Sequence, residues 1–275
     1  MLNEFSFKKK YGQNFLIDKN IINKIVNSID VLDNSLVVEI GCGDGMLTSE
    51  LCKKFKFVLG YEIDLDVKDR LFSKINSFSN FKIIFDDFLN RDVVLDIKDF
   101  DLDNLYVVSN LPYYITTAII EKLIVSGLEF KLMIFMVQKE VADRFTAKVG
   151  TKEYNSLTVF LNYKYDVKKL FVVNRKCFYP IPNVDSAIVA FTSNNKKYSV
   201  DNEDLFFRVV RDCFKFKRKT IKNNLKNYDL DAIERVLLKH GFDLSVRAEQ
   251  LNIQIFCEIA NELAKDWIVT FFDFN

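Results

Sequence analysis

The chain has 275 residues, 49% hydrophobic and 28% charged, with a formal net charge of +1. That is enough apolar material for one sizeable core and a smaller lobe, and the near-neutral balance excludes a protein that meets nucleic acid through overall charge, so any such contact rests on local clustering. Five Cys without a C-x-x-C pair and a single His, His240, argue against a disulfide framework, a zinc site or His-based catalysis, and suit a reducing cytoplasm.

Residues 1–17 read as a basic, aromatic arm. Lys8-Lys9-Lys10 is followed by Tyr-Gly-Gln-Asn rather than an apolar run, so no signal peptide is expected, and no apolar stretch reaches the ~18 residues of a membrane span. Asp18 is placed to cap a helix through Ile29, with Ile21, Ile22, Ile25, Val26 and Ile29 on one face. Leu36–Ile40 reads as a buried strand, followed by a Gly-rich turn and a helix over Met46–Phe55. Phe57–Ile63 is a second strand, a helix runs to about Ile75, and Phe81–Phe85 is a third strand closed by Asp86-Asp87. Leu105–Ser109 is the fourth strand, Ile115–Ser126 a helix and Leu132–Val137 a fifth strand. Gln138–Thr146 and Ser156–Tyr163 read as helical. Val167–Val173 and Val184–Phe191 read as the last two strands, with no room for a helix between them and hence an antiparallel pair. The alternation from Leu36 to about Phe135 predicts an α/β fold with a parallel, doubly wound sheet. Asn194-Asn195-Lys196-Lys197 is a polar break, and Asp201–Phe274 reads as a small helical domain. The expected organisation is therefore an arm at 1–17, a catalytic domain at 18–195 and a helical RNA-binding domain at 196–275.

Three features carry chemistry. Gly41-x-Gly43-x-Gly45 follows a strand and opens a helix, where glycine lets the backbone approach a ligand closely. Glu62 ends the next strand, where an acidic side chain can bind both ribose hydroxyls, and Asp87 ends the third strand within reach of an adenine amino group, with Asp86 competing for that place. A dinucleotide fingerprint would want Gly where Met46 stands, which disfavours a nicotinamide oxidoreductase. Asn110-Leu111-Pro112-Tyr113-Tyr114 closes the fourth strand. The exocyclic amine of a planar base is a poor nucleophile because its lone pair is delocalised into the ring. Oxygen acceptors aimed at its N–H bonds favour the pyramidal form, and an Asn side chain with a carbonyl held rigid by Pro can supply them. An aromatic ring fixes the base by stacking; Tyr114 is expected to pack instead.

The chain resembles the adenine-N6 RNA methyltransferases of the KsgA type along nearly its whole length. Lys10-Tyr11-Gly12-Gln13-Asn14-Phe15-Leu16 is similar to that family's G-Q-N-F-L signature. Glu39–Thr48 resembles its first cofactor motif, with Cys42 where the family usually has Pro, and Asn110-Leu111-Pro112-Tyr113 its catalytic motif. Phe178-x-Pro180-x-Pro182-x-Val184-x-Ser186 resembles its late motif. Phe216-Lys217-Arg218-Lys219-Thr220-Ile221 and Arg247-Ala248-Glu249-Gln250-Leu251 resemble its C-terminal lobe. The resemblance implies a Rossmann-like S-adenosylmethionine-dependent methyltransferase sheet with a small C-terminal α-helical domain. It also implies dimethylation of two adjacent adenosines at N6 near the 3′ end of 16S ribosomal RNA in immature small subunits, without a metal and in the cytoplasm, by a protein expected to be monomeric. Carried over by residue, Asn14 and Leu16 touch the cofactor from the arm, Gly41 approaches its methionine part, Glu62 its ribose and Asp87 its adenine. Gly43, Ile63 and Asn110 are counted among its contacts as well. Asn110 sits between methyl and amine, Leu111 and Pro112 complete the catalytic motif, and Tyr113 and Phe178 hold the flipped base. The Cys42 and Asp44 departures put the stiffness of the turn in question.

For the RNA contact, a helical spacing of ~100° per residue gathers Arg208, Arg211, Lys215, Arg218, Lys219, Lys222 and Lys226 on one face, with Asp212 the one acid in that span. Val210, Phe214, Ile221 and Leu225 form the neighbouring stripe. His240 is expected at a helix end. The rival readings are a large-subunit adenine methyltransferase of the macrolide-resistance type and an assembly factor that checks immature small subunits.

Overall fold

The computed structural model describes residues 14–194 and 197–272. Lys8, Lys9 and Lys10, the Lys10–Gln13 half of the arm signature, and Asn195-Lys196 of the polar break lie outside the described residues.

The elements in order are β1 (Phe15–Leu16), α1 (Lys19–Asn27), β2 (Ser35–Ile40), α2 (Met46–Lys54), β3 (Phe57–Glu62), α3 (Lys68–Ile75), β4 (Phe81–Phe85), α4 (Val93–Ile97), β5 (Asn104–Asn110), α5 (Thr116–Val125), β6 (Phe130–Gln138), α6 (Lys139–Phe145), α7 (Ser156–Lys164), β7 (Tyr165–Val173), β8 (Phe178–Tyr179), β9 (Ser186–Ser193), α8 (Glu203–Cys213), α9 (Ile221–Asn224), α10 (Leu230–Lys239) and α11 (Ile253–Phe272). A seven-stranded sheet has the order β4-β3-β2-β5-β6-β9-β7. The pairs β2–β3, β3–β4, β2–β5 and β5–β6 are parallel, and β9 runs antiparallel to β6. This is a Rossmann-like α/β sheet, as the alternation of strand and helix requires. All six residues of β2 are buried, which is what a central strand covered by helices on both faces demands.

The chain divides into two compact units. The first holds residues up to Ala142 together with Lys168–Ser193, and the second holds Asp143–Val167 together with the chain from Asn194 onward. The longer segment of the second unit starts at Asn194, in the polar break, but the unit also takes residues 143–167, α7 among them, which the reading by composition assigned to the catalytic domain. The reason is packing: Val159 and Tyr163 of α7 belong to the apolar core that Phe206, Val209 and Phe256 also build.

In the first unit, Asp18 caps α1 by accepting from the Asn20 N–H at 2.9 Å; Ile22, Ile25 and Val26 turn to the core. The β2–β5 ladder is recorded from Ser35↔Asn104 to Val38↔Val107. Beyond it the two strand ends are bridged by the Ser109 hydroxyl, which donates to the Ile40 carbonyl. β2 has neighbours reached in opposite directions along the sheet, so a crevice opens where ligands of open α/β folds bind. A second, two-stranded ladder was not expected: Phe15 pairs with Tyr179 and Leu16 with Phe178, antiparallel. The short helix α4, capped by Asp92 through the Val94 and Leu95 N–H groups, was also missed.

In the second unit, Asn202 caps α8 and Leu205, Phe206, Val209, Val210 and Cys213 form its buried stripe. The expected helix across Arg208–Lys226 is not continuous. It ends at Cys213 and resumes only at Ile221. The Asn224 side chain causes the break, since its amide donates to the Cys213 carbonyl at 2.7 Å and its oxygen accepts from the Phe216 N–H at 3.2 Å. A bond arriving from eleven residues downstream leaves no trace in helical periodicity. His240 ends α10 as expected, its Nε2 2.8 Å from Glu258.

Candidate active site

One cavity lies at the carboxyl ends of β2, β3, β4 and β5. Its wall includes Asn14, Leu16, Gly41, Gly43, Glu62, Ile63, Asp87, Asn110, Leu111, Pro112 and Tyr113. Residues scattered over a hundred positions thus meet at one place. Phe178 stands apart. It is 1% exposed, packs in the core with Leu16 and Ile22, and is absent from the cavity wall, because its pairing with Leu16 draws it inward.

The Gly-rich turn forms one side. Gly41, Gly43 and Gly45 all have positive φ, at 80°, 55° and 83°, a region that residues with a Cβ rarely adopt. At Gly43 space is also closed, since a Cβ there would lie 2.9 Å from the Phe15 ring. Cys42 and Asp44, the two departures in the turn, are both held by side-chain contacts. Lys74 reaches across to the Asp44 carbonyl at 2.8 Å and its carboxylate at 3.1 Å. The Cys42 side chain is buried against Leu71 and Ile75, and burial pushes its thiol well above the ordinary range.

Glu62 is 6% exposed. Its two oxygens accept from the Gly43 N–H and the Asp64 N–H, both at 2.8 Å. Burial raises its pKa, and the two backbone donors offset part of that rise. Behind it Glu39 is buried, and burial pushes its carboxyl up to about 8, with Thr48 and Cys42 beside it opposing the rise. Glu39 Oε2 and Thr48 Oγ1 have no hydrogen-bond partner of good geometry. Burial of this kind favours the neutral form of a carboxyl.

At the third strand end the two aspartates divide their work. Asp86 is exposed and sits 3.5 Å from the Arg91 guanidinium. Asp87 accepts from the Leu89 N–H at 2.9 Å and so shapes the turn that follows β4. Both line the cavity. Arg91 also holds Asp96, which accepts from the Tyr61 hydroxyl at 2.9 Å. Together they keep that carboxyl below its usual value against the opposing effect of burial.

The Asn110 amide nitrogen donates to the Asn14 carbonyl at 3.1 Å. With its N–H side committed, its Oδ1 remains the face available to a ligand. Pro112 gives its own carbonyl to the Ile115 N–H at 3.3 Å and the Thr116 hydroxyl at 3.1 Å. Tyr113 is half-buried and its hydroxyl lies 2.7 Å from Ser186 Oγ. The last residue of the late motif therefore holds the ring that follows Pro112, a link the spacing alone did not reveal. Tyr114, expected to pack, is 59% exposed at the cavity wall. The apolar lining from Met46, Phe88 and Leu89 was likewise missed; the Phe-Leu pair directly after Asp87 was its only signal.

Arg211, Lys215, Arg218, Lys219 and Lys222 are exposed in the second unit, most of them on the turn between α8 and α9. Asp212 is engaged by the Tyr228 hydroxyl at 2.6 Å.

The sequence profile of the family described as ribosomal RNA adenine dimethylase matches residues 4–265. The chain is 42% identical over 269 residues to the ribosomal RNA small subunit methyltransferase A of Geobacillus kaustophilus, covering 94% of this chain and 92% of that one. It is 42% identical over 270 residues to the protein of the same name from Bacillus pumilus, covering 95% and 92%. Among solved structures, a dimethyladenosine transferase from Plasmodium falciparum superposes with a TM-score of 0.78 at 27% identity, covering 92% of this chain and 98% of that one. The 23S rRNA methyltransferase ErmE superposes with a TM-score of 0.74 at 24% identity, covering 91% and 100%, a likeness of fold alone.

Proposed function

The chain belongs to the ribosomal RNA adenine dimethylase family, and from that premise we propose that it dimethylates N6 of two adjacent adenosines near the 3′ end of 16S ribosomal RNA. Its methyl donor is S-adenosylmethionine, which when bound supplies an electrophilic methyl group on a positively charged sulfur. The residues present fit that donor. Gly41 and Gly43 let the backbone approach its methionine part, Asn14 and Leu16 close over it, Glu62 serves the ribose, Ile63 and Asp87 the adenine.

The reading is carried by one observation: the Asn110 amide is oriented by the Asn14 carbonyl within the cavity wall. Its Oδ1 accepts one N–H of the target amine, and the Leu111 carbonyl, made rigid by Pro112, accepts the other. These acceptors localise the lone pair, and because they are fixed beforehand no reorganisation opposes the reaction. The amine proton passes to water once the amine has gained its methyl group. Tyr113, tethered by Ser186, supports the face of the base. Phe178 reaches a base only if β8 leaves its seat beside β1. A target adenosine is turned out of its stack, which is easiest in a loop or near a strand end. The pocket must admit an amine that already carries one methyl.

The substrate is the RNA of immature small subunits in the cytoplasm, bound through Arg211, Lys215, Arg218, Lys219 and Lys222 of a helical RNA-binding domain by a monomeric protein. Five free cysteines, four of them buried, suit a reducing compartment, and each compact unit has its own apolar core. Incubation of the protein with labelled donor and under-methylated small subunits, followed by mapping of the modified base, tests the reading. Dimethyladenosine at two adjacent small-subunit positions supports it. Label on a large-subunit adenine would overturn it, and subunit binding without transfer would point to an assembly checkpoint. Sedimentation at a mass well above 32.2 kDa would overturn the monomer.

A further inference from the structure

We propose that Phe216 is a stacking platform for an unpaired RNA base, presented by Asn224 at the centre of the phosphate-binding turn. The proposal rests on the RNA-substrate reading above and names a residue to which that reading gives no role.

Phe216 is 57% exposed. A single apolar side chain on a surface needs no explanation, so exposure alone carries nothing. Two further observations do. The first is rigidity. The Phe216 N–H donates to Asn224 Oδ1 at 3.2 Å, while the Phe216 carbonyl accepts from the Lys219 N–H at 2.8 Å and from the Asn224 amide at 3.3 Å. The same amide holds the Cys213 carbonyl at the end of α8. The backbone that carries the ring is therefore clamped on both sides, and a ligand that covers the ring need not order the chain first.

The second is charge. Lys215, Lys217, Arg218, Lys219 and Lys222 are exposed around Phe216, and no acid occurs between Cys213 and Tyr228. Lys215 Nζ stands 5.9 Å from the centre of the Phe216 ring. A protein partner covering the ring would have to neutralise or desolvate these cations. A nucleic acid satisfies them with phosphates and offers a planar base to the ring at the same time, which is the combination of basic groove and aromatic platform that binds single strands. A base inside a duplex has no free face, so the ring selects unpaired nucleotides.

The test uses the full chain and two labelled RNAs of equal length, one a hairpin with an open loop and one fully paired. Affinities are measured over a range of salt. Phe216→Ala is expected to weaken loop binding about tenfold, to change duplex binding by less than about twofold, and to leave the slope of log K against log salt unaltered, because the slope counts phosphates and not stacked bases. Phe216→Trp should bind at least as well as the unaltered chain. Phe216→Leu, which keeps apolar bulk without a π face, should behave like Phe216→Ala, and thermal melting of all three variants checks that the turn is intact. Unchanged loop affinity in Phe216→Ala, equal loss on loop and duplex, or full rescue by Leu would overturn the proposal. Methyl transfer by the unaltered chain is scored in parallel. If it methylates small subunits while Phe216→Ala binds loop RNA normally, the stacking role fails and the enzymatic reading stands. If it methylates nothing, the enzymatic reading fails by itself.

Discussion

Asn110 and Asn14 are joined across 96 positions of the chain, the side-chain amide of one donating to the backbone carbonyl of the other at 3.1 Å. The bond commits the N–H end of the Asn110 carboxamide and leaves Oδ1 as its other end. Asn110→Ala should therefore abolish methyl transfer, by at least about a hundredfold, as loss of a preorganised polar contact does. Donor affinity should stay within a few-fold, because Glu62 and the Gly-rich turn remain. Single-turnover assays with calorimetric donor binding separate the two quantities. Unimpaired turnover would remove Asn110 from the chemistry.

Glu62 meets two backbone donors, the Gly43 and Asp64 N–H groups. Glu62→Gln keeps one acceptor and turns an N–H group toward the other donor. We expect donor affinity to fall by about tenfold or more and stability to drop by about 1–3 kcal/mol, the usual loss when a buried donor is left unmatched. Calorimetry and urea unfolding report the two effects, and a Gln variant equal to the parent in both would show that the carboxylate is dispensable.

Stability should fall between mildly acidic and mildly alkaline pH because of Glu39. In the fold its carboxyl keeps its proton to about pH 8, whereas the ordinary value is 4.5. Between these values the folded chain binds the extra proton, so the stabilisation is full below the lower value and is lost as pH rises through the upper one. The loss is on the order of a few kcal/mol. Glu62, also raised by burial, acts in the same direction. Urea unfolding at pH 6 and pH 8.5 should show a smaller decline for Glu39→Gln than for the parent; identical declines would mean that Glu39 ionises freely inside the fold.

Tyr113 and Ser186 form a pair of hydroxyls 2.7 Å apart. Tyr113→Phe keeps the ring and loses the tether, so a fall in turnover of about two- to tenfold is expected, whereas Tyr113→Ala should lose about a hundredfold or more if the ring supports the base. Ser186→Ala should resemble Tyr113→Phe. Steady-state kinetics on small subunits decide, and a Phe variant as poor as the Ala variant would place the function in the hydroxyl.

Arg218 and Lys219 lie on the exposed turn after α8. Changing both to Gln should weaken RNA binding at every sequence tested and lower the magnitude of the salt slope by about 1.4 for a single strand, the contribution of two phosphates. A slope that does not move would leave this face merely solvated.

Much of the site was legible before the fold was known because its parts are strand ends. Gly41, Glu62, Asp87 and Asn110 each follow a short apolar run, and a parallel sheet brings such positions together whatever lies between them. What escaped were contacts made by side chains over long separations. The Asn224 bonds that stop α8 at Cys213, the Ser186 tether on Tyr113 and the β1–β8 ladder leave no periodic signature. Phe178 shows the limit from the other side. Its motif was recognisable, but only the pairing with Leu16 reveals that the ring is tucked into the core.

That small ladder has a mechanical corollary. Since Phe15–Leu16 and Phe178–Tyr179 are zipped together, an opening of that ladder would release the cavity wall at Leu16 and the aromatic segment at Phe178 together. Hydrogen exchange at the Ile17 amide, which donates to the Cys177 carbonyl at 2.9 Å across the two segments, would register that opening, and anything that steadies either segment, such as a bound donor, would slow it.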